Sequence, residues 1–128
     1  MTFLFDEQLP EAIVQALGKT DQPARHVITE GLRGSSDEEL FAYAGPRGWF
    51  FISANTEILR KPQQRAAMLE QRLGAFFFTG RAHRSYFDWL ELIVRRWKDI
   101  VRFAEAHAPP FVAQVPDRGA ITMVRKRS

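Results

Sequence analysis

The apolar positions of this chain fall into short continuous runs that alternate with segments where they recur every three or four residues. Phe3-Leu4-Phe5 reads as a central parallel strand buried on both faces. Pro10 suits a helix's first turn; Leu9, Ile13, Val14 and Leu17 are spaced as its inner stripe, and Gly18 stops it. A polar loop through Asp21 and Pro23 leads to His26-Val27-Ile28-Thr29, β-branched at its centre and read as a second strand. The turn from Gly31 to Ser36 precedes a helix over Asp37–Ala44, and serine followed three residues later by glutamate, as Ser35/Glu38 or Ser36/Glu39, is a capping-box signature.

Past Gly45-Pro46-Arg47-Gly48, the run Trp49-Phe50-Phe51-Ile52 predicts a third strand. A helix follows over Gln63–Arg72 with Gly74 as its stop, and Ala75-Phe76-Phe77-Phe78 is the fourth strand. Ser85 to His107 is one long helix, with Phe87, Leu90, Val94, Trp97 and Val101 as its apolar stripe and Pro109-Pro110 as its end. Phe111–Val115 and Ala120–Val124 around Pro116-Asp117-Arg118-Gly119 read as a C-terminal hairpin at the sheet edge. Strand and helix alternate as in a doubly wound α/β sheet: a central, mostly parallel sheet, helices on both faces and right-handed crossovers.

With 128 residues, the chain is read as a single domain over 1–128. Its hydrophobic fraction of 45% and charged fraction of 26% belong to a globular chain, and no stretch reaches the roughly 18 apolar residues of a membrane span. The acids that follow the first apolar run are unlike a secretory signal, so the expected location is cytoplasmic, with no membrane partner. The absence of cysteine excludes thiolate nucleophiles and zinc–thiolate sites, so a metal must be held by carboxylates, amides or histidines, and oxygen donors point to Mg2+ or Mn2+. A net charge of +3 is compatible with a polyanionic partner without requiring one. Arginine dominates the basic residues, several of them at expected loops (Arg33, Arg60, Lys61, Arg81, Arg84) or in the terminal Arg125-Lys126-Arg127.

In open α/β sheets, ligands bind beyond the carboxyl ends of the strands, near the point where strand order reverses. There the chain places Asp6-Glu7 after strand one, the Gly31–Asp37 turn after strand two, Ser53-Ala54-Asn55-Thr56-Glu57 after strand three and Thr79-Gly80-Arg81 after strand four. Each taken alone has a plainer reading. Asp37, Glu38 and Glu39 suit a helix's first turn, Asn55 suits a turn cap, and Asp6 suits a cap for the helix at Pro10. An acid directly after three buried apolar residues is nevertheless costly without a partner.

The stretches FLFDEQLP, GLRGSSDEEL and WFFISANTEILRKP resemble the PIN-like domains, in the branch of the VapC-type toxins of bacterial toxin–antitoxin pairs. That branch shows a strand ending in D-E-x-L-P, a G-x-x-G-x-S-D-E-E-[IL] segment and a strand ending in T-x-D-x-D-[FI]. The long helix with Trp97 and the following Pro109-Pro110-Phe111-Val112 are similar to it as well, so the likeness covers nearly the whole chain. The resemblance implies a PIN-like three-layer sandwich and a metal-dependent endoribonuclease acting on RNA. Asp6, Asp37 and Glu57 are its implied catalytic residues, and with Asn55 they are its Mg2+ or Mn2+ ligands. Asn55 and Glu57 stand where the family usually has aspartates, Ser53 replaces the usual threonine, and Ala54 replaces a frequent basic residue. An asparagine carbonyl still coordinates but brings no charge, which shifts the burden to the three acids.

On this reading Arg33, Arg60, Lys61, Arg81 and Arg84 receive RNA phosphates, against the plainer role of solvated surface charge. The resemblance also implies a cognate antitoxin protein that covers the acidic edge. The aromatic-rich helix from Phe87 to Phe103 either packs as core or pairs with a second copy in a homodimer. The alternative is a PIN-like module that binds RNA or a protein partner without cutting, and Asn55 is its main support. A phospho-accepting receiver domain is disfavoured, because Asn55 and Arg81 stand where an aspartate and a lysine are required.

Overall fold

The computed structural model describes residues 1–20, 23–81 and 83–124. Asp21 and the basic run Arg125-Lys126-Arg127 lie outside them. The elements in order are β1 (Phe3–Phe5), α1 (Ala12–Leu17), β2 (Ala24–His26), α2 (Asp37–Ala44), β3 (Phe50–Ser53), α3 (Glu57–Arg60), α4 (Pro62–Glu70), β4 (Gly74–Phe78), α5 (Tyr86–Ala106), β5 (Phe111–Val115) and β6 (Thr122–Met123). The strands form one six-stranded sheet in the order β2-β1-β3-β4-β5-β6, parallel except for β6, which returns antiparallel on β5 as the edge hairpin.

Alternate strand residues feed two cores. Phe3, Phe5, Phe50, Ile52, Phe76 and Phe78 pack under α1 and α5; Leu4, Phe51, Ala75 and Phe77 pack under α2, α3 and α4. The central strands are therefore apolar on both faces, and burying each large side chain contributes about 1.5–3 kcal/mol. Strand order reverses between β1 and β3, which pair Phe5 with Ile52.

Three expectations need correction. Strand β2 lies over Ala24–His26, earlier than read, because Val27 makes the last ladder bond, to the Phe5 carbonyl; the chain then turns, with Glu30 N–H on the His26 carbonyl and Leu32 N–H on the Val27 carbonyl. Helix α5 buries Trp89, Leu92, Ile93, Arg96, Trp97, Ile100 and Ala104, whereas Phe87 is 79% and Val94 55% exposed. The crossovers also do not all share one hand. Successive connections through α4 and α5 step the same way across the sheet but from opposite faces, so α5 has the opposite hand to the three before it. With α3 and α4 already covering one face, α5 covers the aromatic face beside α1 that would otherwise meet water.

Candidate active site at the carboxyl ends of the strands

Asp6 follows the last residue of β1 at the reversal point. Its N–H continues the ladder to the Ile52 carbonyl at 2.9 Å, which fixes the backbone and directs the carboxylate beyond the sheet. Only 4% of the residue is exposed. Oδ1 accepts the Glu7 N–H at 2.8 Å, and Oδ2 accepts the hydroxyl of Ser53, the last residue of β3, at 2.7 Å. Burial pushes the Asp6 carboxyl above its ordinary value; the Ser53 and Glu7 bonds pull it down, and the charges of Asp37 and Glu7 push it up. Two acids distant in sequence thus feel one another here.

Asp37 reaches this place by a built turn. Gly31 and Gly34 adopt φ of 76° and 80°, left-handed conformations that favour glycine, and bring the chain back to α2. Of the two capping boxes open in the sequence, the structure forms Ser36/Glu39: Ser36 Oγ accepts the Glu39 N–H at 3.2 Å, and Glu39 Oε1 accepts the Ser36 N–H at 2.9 Å. The same bonds hold the Glu39 carboxyl below its ordinary value. Asp37 is then the first residue of α2, and its Oδ2 accepts a hydrogen bond from Gln64 Nε2 of α4 at 2.8 Å. Asp6 and Asp37 line one cleft of about 150 Å³, together with Glu7, Gln8, Gly34 and Ser35 and an apolar floor that includes Val27 and Leu40.

Asn55 and Glu57 are placed differently. The Asn55 N–H donates to Ser53 Oγ, and its side-chain carbonyl accepts the Glu57 N–H at 3.2 Å, an Asx turn that opens α3. Glu57 is exposed and its carboxylate lies 3.4 Å from Arg60. Neither lines the cleft. Among the described residues, no three His, Asp or Glu side chains come together closely enough to hold a metal ion by themselves.

The basic residues divide. Arg33, Arg60, Lys61 and Arg81 are exposed, Arg33 within the 31–36 turn and Arg81 at 3.6 Å from Asp88. Arg84 is used inside the protein: its buried guanidinium pairs with Asp117, donates to the Arg81 carbonyl at 3.0 Å and lies 5.2 Å from the Trp89 ring centre. Asp117 is accordingly held below the usual carboxylate range, first by its bond to Arg84.

Three polar residues at this edge carry no role in the sequence reading. Ser53 anchors Asp6, and Gln64 anchors Asp37. Fully buried His26 accepts the Ile28 N–H at Nδ1, so its proton sits on Nε2, which donates to the Leu9 carbonyl at 2.7 Å and ties the acidic turn to β2. A signal existed for Ser53, two residues before Asn55 and at the end of an apolar run. None existed for Gln64, which is one of two adjacent glutamines.

A family model described as PIN like domain matches residues 1–80, which include β1 through β4 and both cleft acids. Neither the curated proteins nor the solved structures yielded a match.

Proposed function

The chain belongs to the PIN-like domain family, and on that premise we propose that it is a metal-dependent endoribonuclease hydrolysing RNA phosphodiesters, the toxin of a toxin–antitoxin pair. The observation that carries the reading is the convergence of Asp6 and Asp37, from separate elements, on one cleft at the strand-order reversal.

The donors present fit a hard divalent ion. Each Asp6 oxygen accepts one hydrogen bond and Asp37 Oδ2 accepts one, which leaves carboxylate lone pairs on both acids. Mg2+ is commonly held by one or two carboxylates together with waters and substrate phosphates, so a pair of acids suffices. Asp6 and Asp37 would hold Mg2+ or Mn2+, with waters and substrate phosphates completing the set, since Asn55 and Glu57 lie outside the cleft, one in its Asx turn and the other against Arg60. The ion supplies Lewis-acid polarisation of the phosphodiester and a more acidic bound water. The protein's own part is to fix two anions in a small cleft and to receive backbone phosphates on Arg33, Arg60, Lys61 and Arg81. Arg84 shapes the end of β4.

Incubation of structured RNAs, transfer RNA included, with Mn2+, Mg2+ or chelator tests this, beside Asp6→Ala. Metal-dependent cleavage lost in the variant is the expected result. Tight RNA binding without cleavage under either metal refutes it and selects the second reading, a PIN-like module that binds RNA or a protein without cutting. The engagement of Asn55 in an Asx turn and of Glu57 with Arg60 favours that alternative. Asn55→Asp separates the two further, since a true ligand position gains metal affinity or rate. A co-expressed small antitoxin that blocks cleavage tests the toxin assignment.

A further inference from the structure

Asp37 depends on a residue from another helix. Gln64, in the first turn of α4, is 9% exposed and sends Nε2 to Asp37 Oδ2 at 2.8 Å. Its own carbonyl oxygen is buried and has no partner among the described residues. A buried amide with half of its hydrogen-bonding capacity unused disfavours folding, and an apolar side chain of similar size would avoid that cost. Flipping the amide gives no relief, because Oε1 would then face a carboxylate. What Gln64 does achieve is specific: it fills one lone pair of Asp37 with a neutral donor, which fixes the acid in place without pairing it with a cation. The neighbouring Arg65, which would cancel that charge, sends its guanidinium to the Leu59 carbonyl. Asp6 is treated alike, with a hydroxyl and a backbone amide as its donors.

We propose that Gln64 is a positioning residue that holds Asp37 as a fixed anionic ligand for the divalent cation. The proposal rests on the metal-dependent reading above. Mn2+ itself is the probe, titrated by calorimetry into the wild type, Gln64→Met and Gln64→Lys, with the urea midpoint of each measured alongside. Gln64→Met should keep or raise the midpoint while weakening Mn2+ binding about tenfold or more, as loss of a ligand's orienting partner does. Gln64→Lys should abolish binding by neutralising Asp37. Equal Mn2+ affinity in the wild type and Gln64→Met, or a lowered midpoint with unchanged affinity, overturns the role of Gln64 alone. A wild type that binds no Mn2+ overturns the metal reading and this proposal together, and so differs from both. Independently of any variant, Mn2+ should broaden the Gln64 side-chain amide signals in the wild-type nitrogen–proton spectrum before those of Gln15 or Gln114, which lie outside the cleft. A Gln64 signal that stays sharp while the ion binds elsewhere overturns the assignment.

Discussion

Replacing Ser53 by alanine tests whether Asp6 is held as a charge. The Ser53 hydroxyl donates to Asp6 Oδ2 at 2.7 Å and accepts the Asn55 N–H at 3.0 Å, with Ser53 fully buried. A hydrogen bond to a charged group contributes about 1.5–3 kcal/mol and one between neutral groups about 1 kcal/mol. Asn55 is partly exposed, so water replaces part of its lost bond, and the net loss expected at pH 7.5 is about 2–3 kcal/mol. At a pH below 3.8, the ordinary value from which Asp6 is raised, the carboxyl is mostly protonated and the loss should shrink toward about 1 kcal/mol. With a urea slope of about 1.5 kcal/mol per molar, the midpoint should drop by about 1.3–2 M at the higher pH and about 0.7 M at the lower. Urea titrations followed by tryptophan fluorescence at both pH values measure this, with Ser53→Thr as the variant that retains the hydroxyl. An equal loss at both pH values, or none at pH 7.5, refutes the picture of a buried carboxylate stabilised by this bond.

The Asp6 carboxyl is raised in the folded protein, so ionising it costs stability; the midpoint should rise as pH falls from neutral toward 3.8, and Asp6→Asn should flatten that rise. Asp117 has the opposite sign: depressed by Arg84, it stabilises above 3.8 and its contribution is lost as pH falls further, so wild type minus Asp117→Asn should reverse trend there. In Gly80→Ala the added Cβ would stand 2.0 Å from Asp117 Oδ1 and 2.8 Å from the Arg84 guanidinium. It should cost about 1–2 kcal/mol, discounted for the partial exposure of Asp117, and combining it with Asp117→Asn should be clearly less than additive in chemical denaturation. Mn2+ at a hundred times its dissociation constant should stabilise the fold by about 2.7 kcal/mol, read as a rise in Tm that Asp6→Ala abolishes.

The strand ends were legible because apolar runs stop at polar residues there, and Asp6 was legible because an acid directly follows Phe5. The buried face of α5 was not. Between Trp89 and Val94 the helix is apolar nearly all round, so periodicity offers two overlapping stripes, and Arg96 on the true one reads as solvent-facing. Only the tertiary fold shows its guanidinium reaching the Gly119 carbonyl at 2.7 Å and Asp99 at 3.3 Å. The capping box made the start of the Asp37 helix legible, whereas Asp37 and Glu57 as site residues came from the resemblance, Glu57 from a position in its third motif. The structure starts a short helix at Glu57, a consequence of the Asn55 Asx turn, and that turns its carboxylate to Arg60. Gln64 could not be read at all, since its meaning lies in a contact 27 positions back in the chain.

The distribution of partners around the cleft accounts for what a charge count misses. The chain is net positive, yet Arg84 is taken up by Asp117 and Arg65 by a backbone carbonyl, while Arg60 and Arg81 make exposed pairs with Glu57 and Asp88 that leave their guanidinium groups open to solvent. The hydrogen bonds on Asp6 and Asp37 come from a hydroxyl, a backbone amide and a side-chain amide, all neutral. A guanidinium closed on Asp6 would pull its carboxyl down against the effect of burial, and the cleft would hold an internal ion pair with less demand for a cation. Neutral donors fix geometry without discharging it. The resulting field is one that a divalent ion relieves, and the exposed Arg33, between the cleft-lining Leu32 and Gly34, leaves a polyanion something to meet beside it. On the proposed function, acids held by neutral donors inside and an exposed cation beside them favour a phosphodiester substrate over a small neutral one.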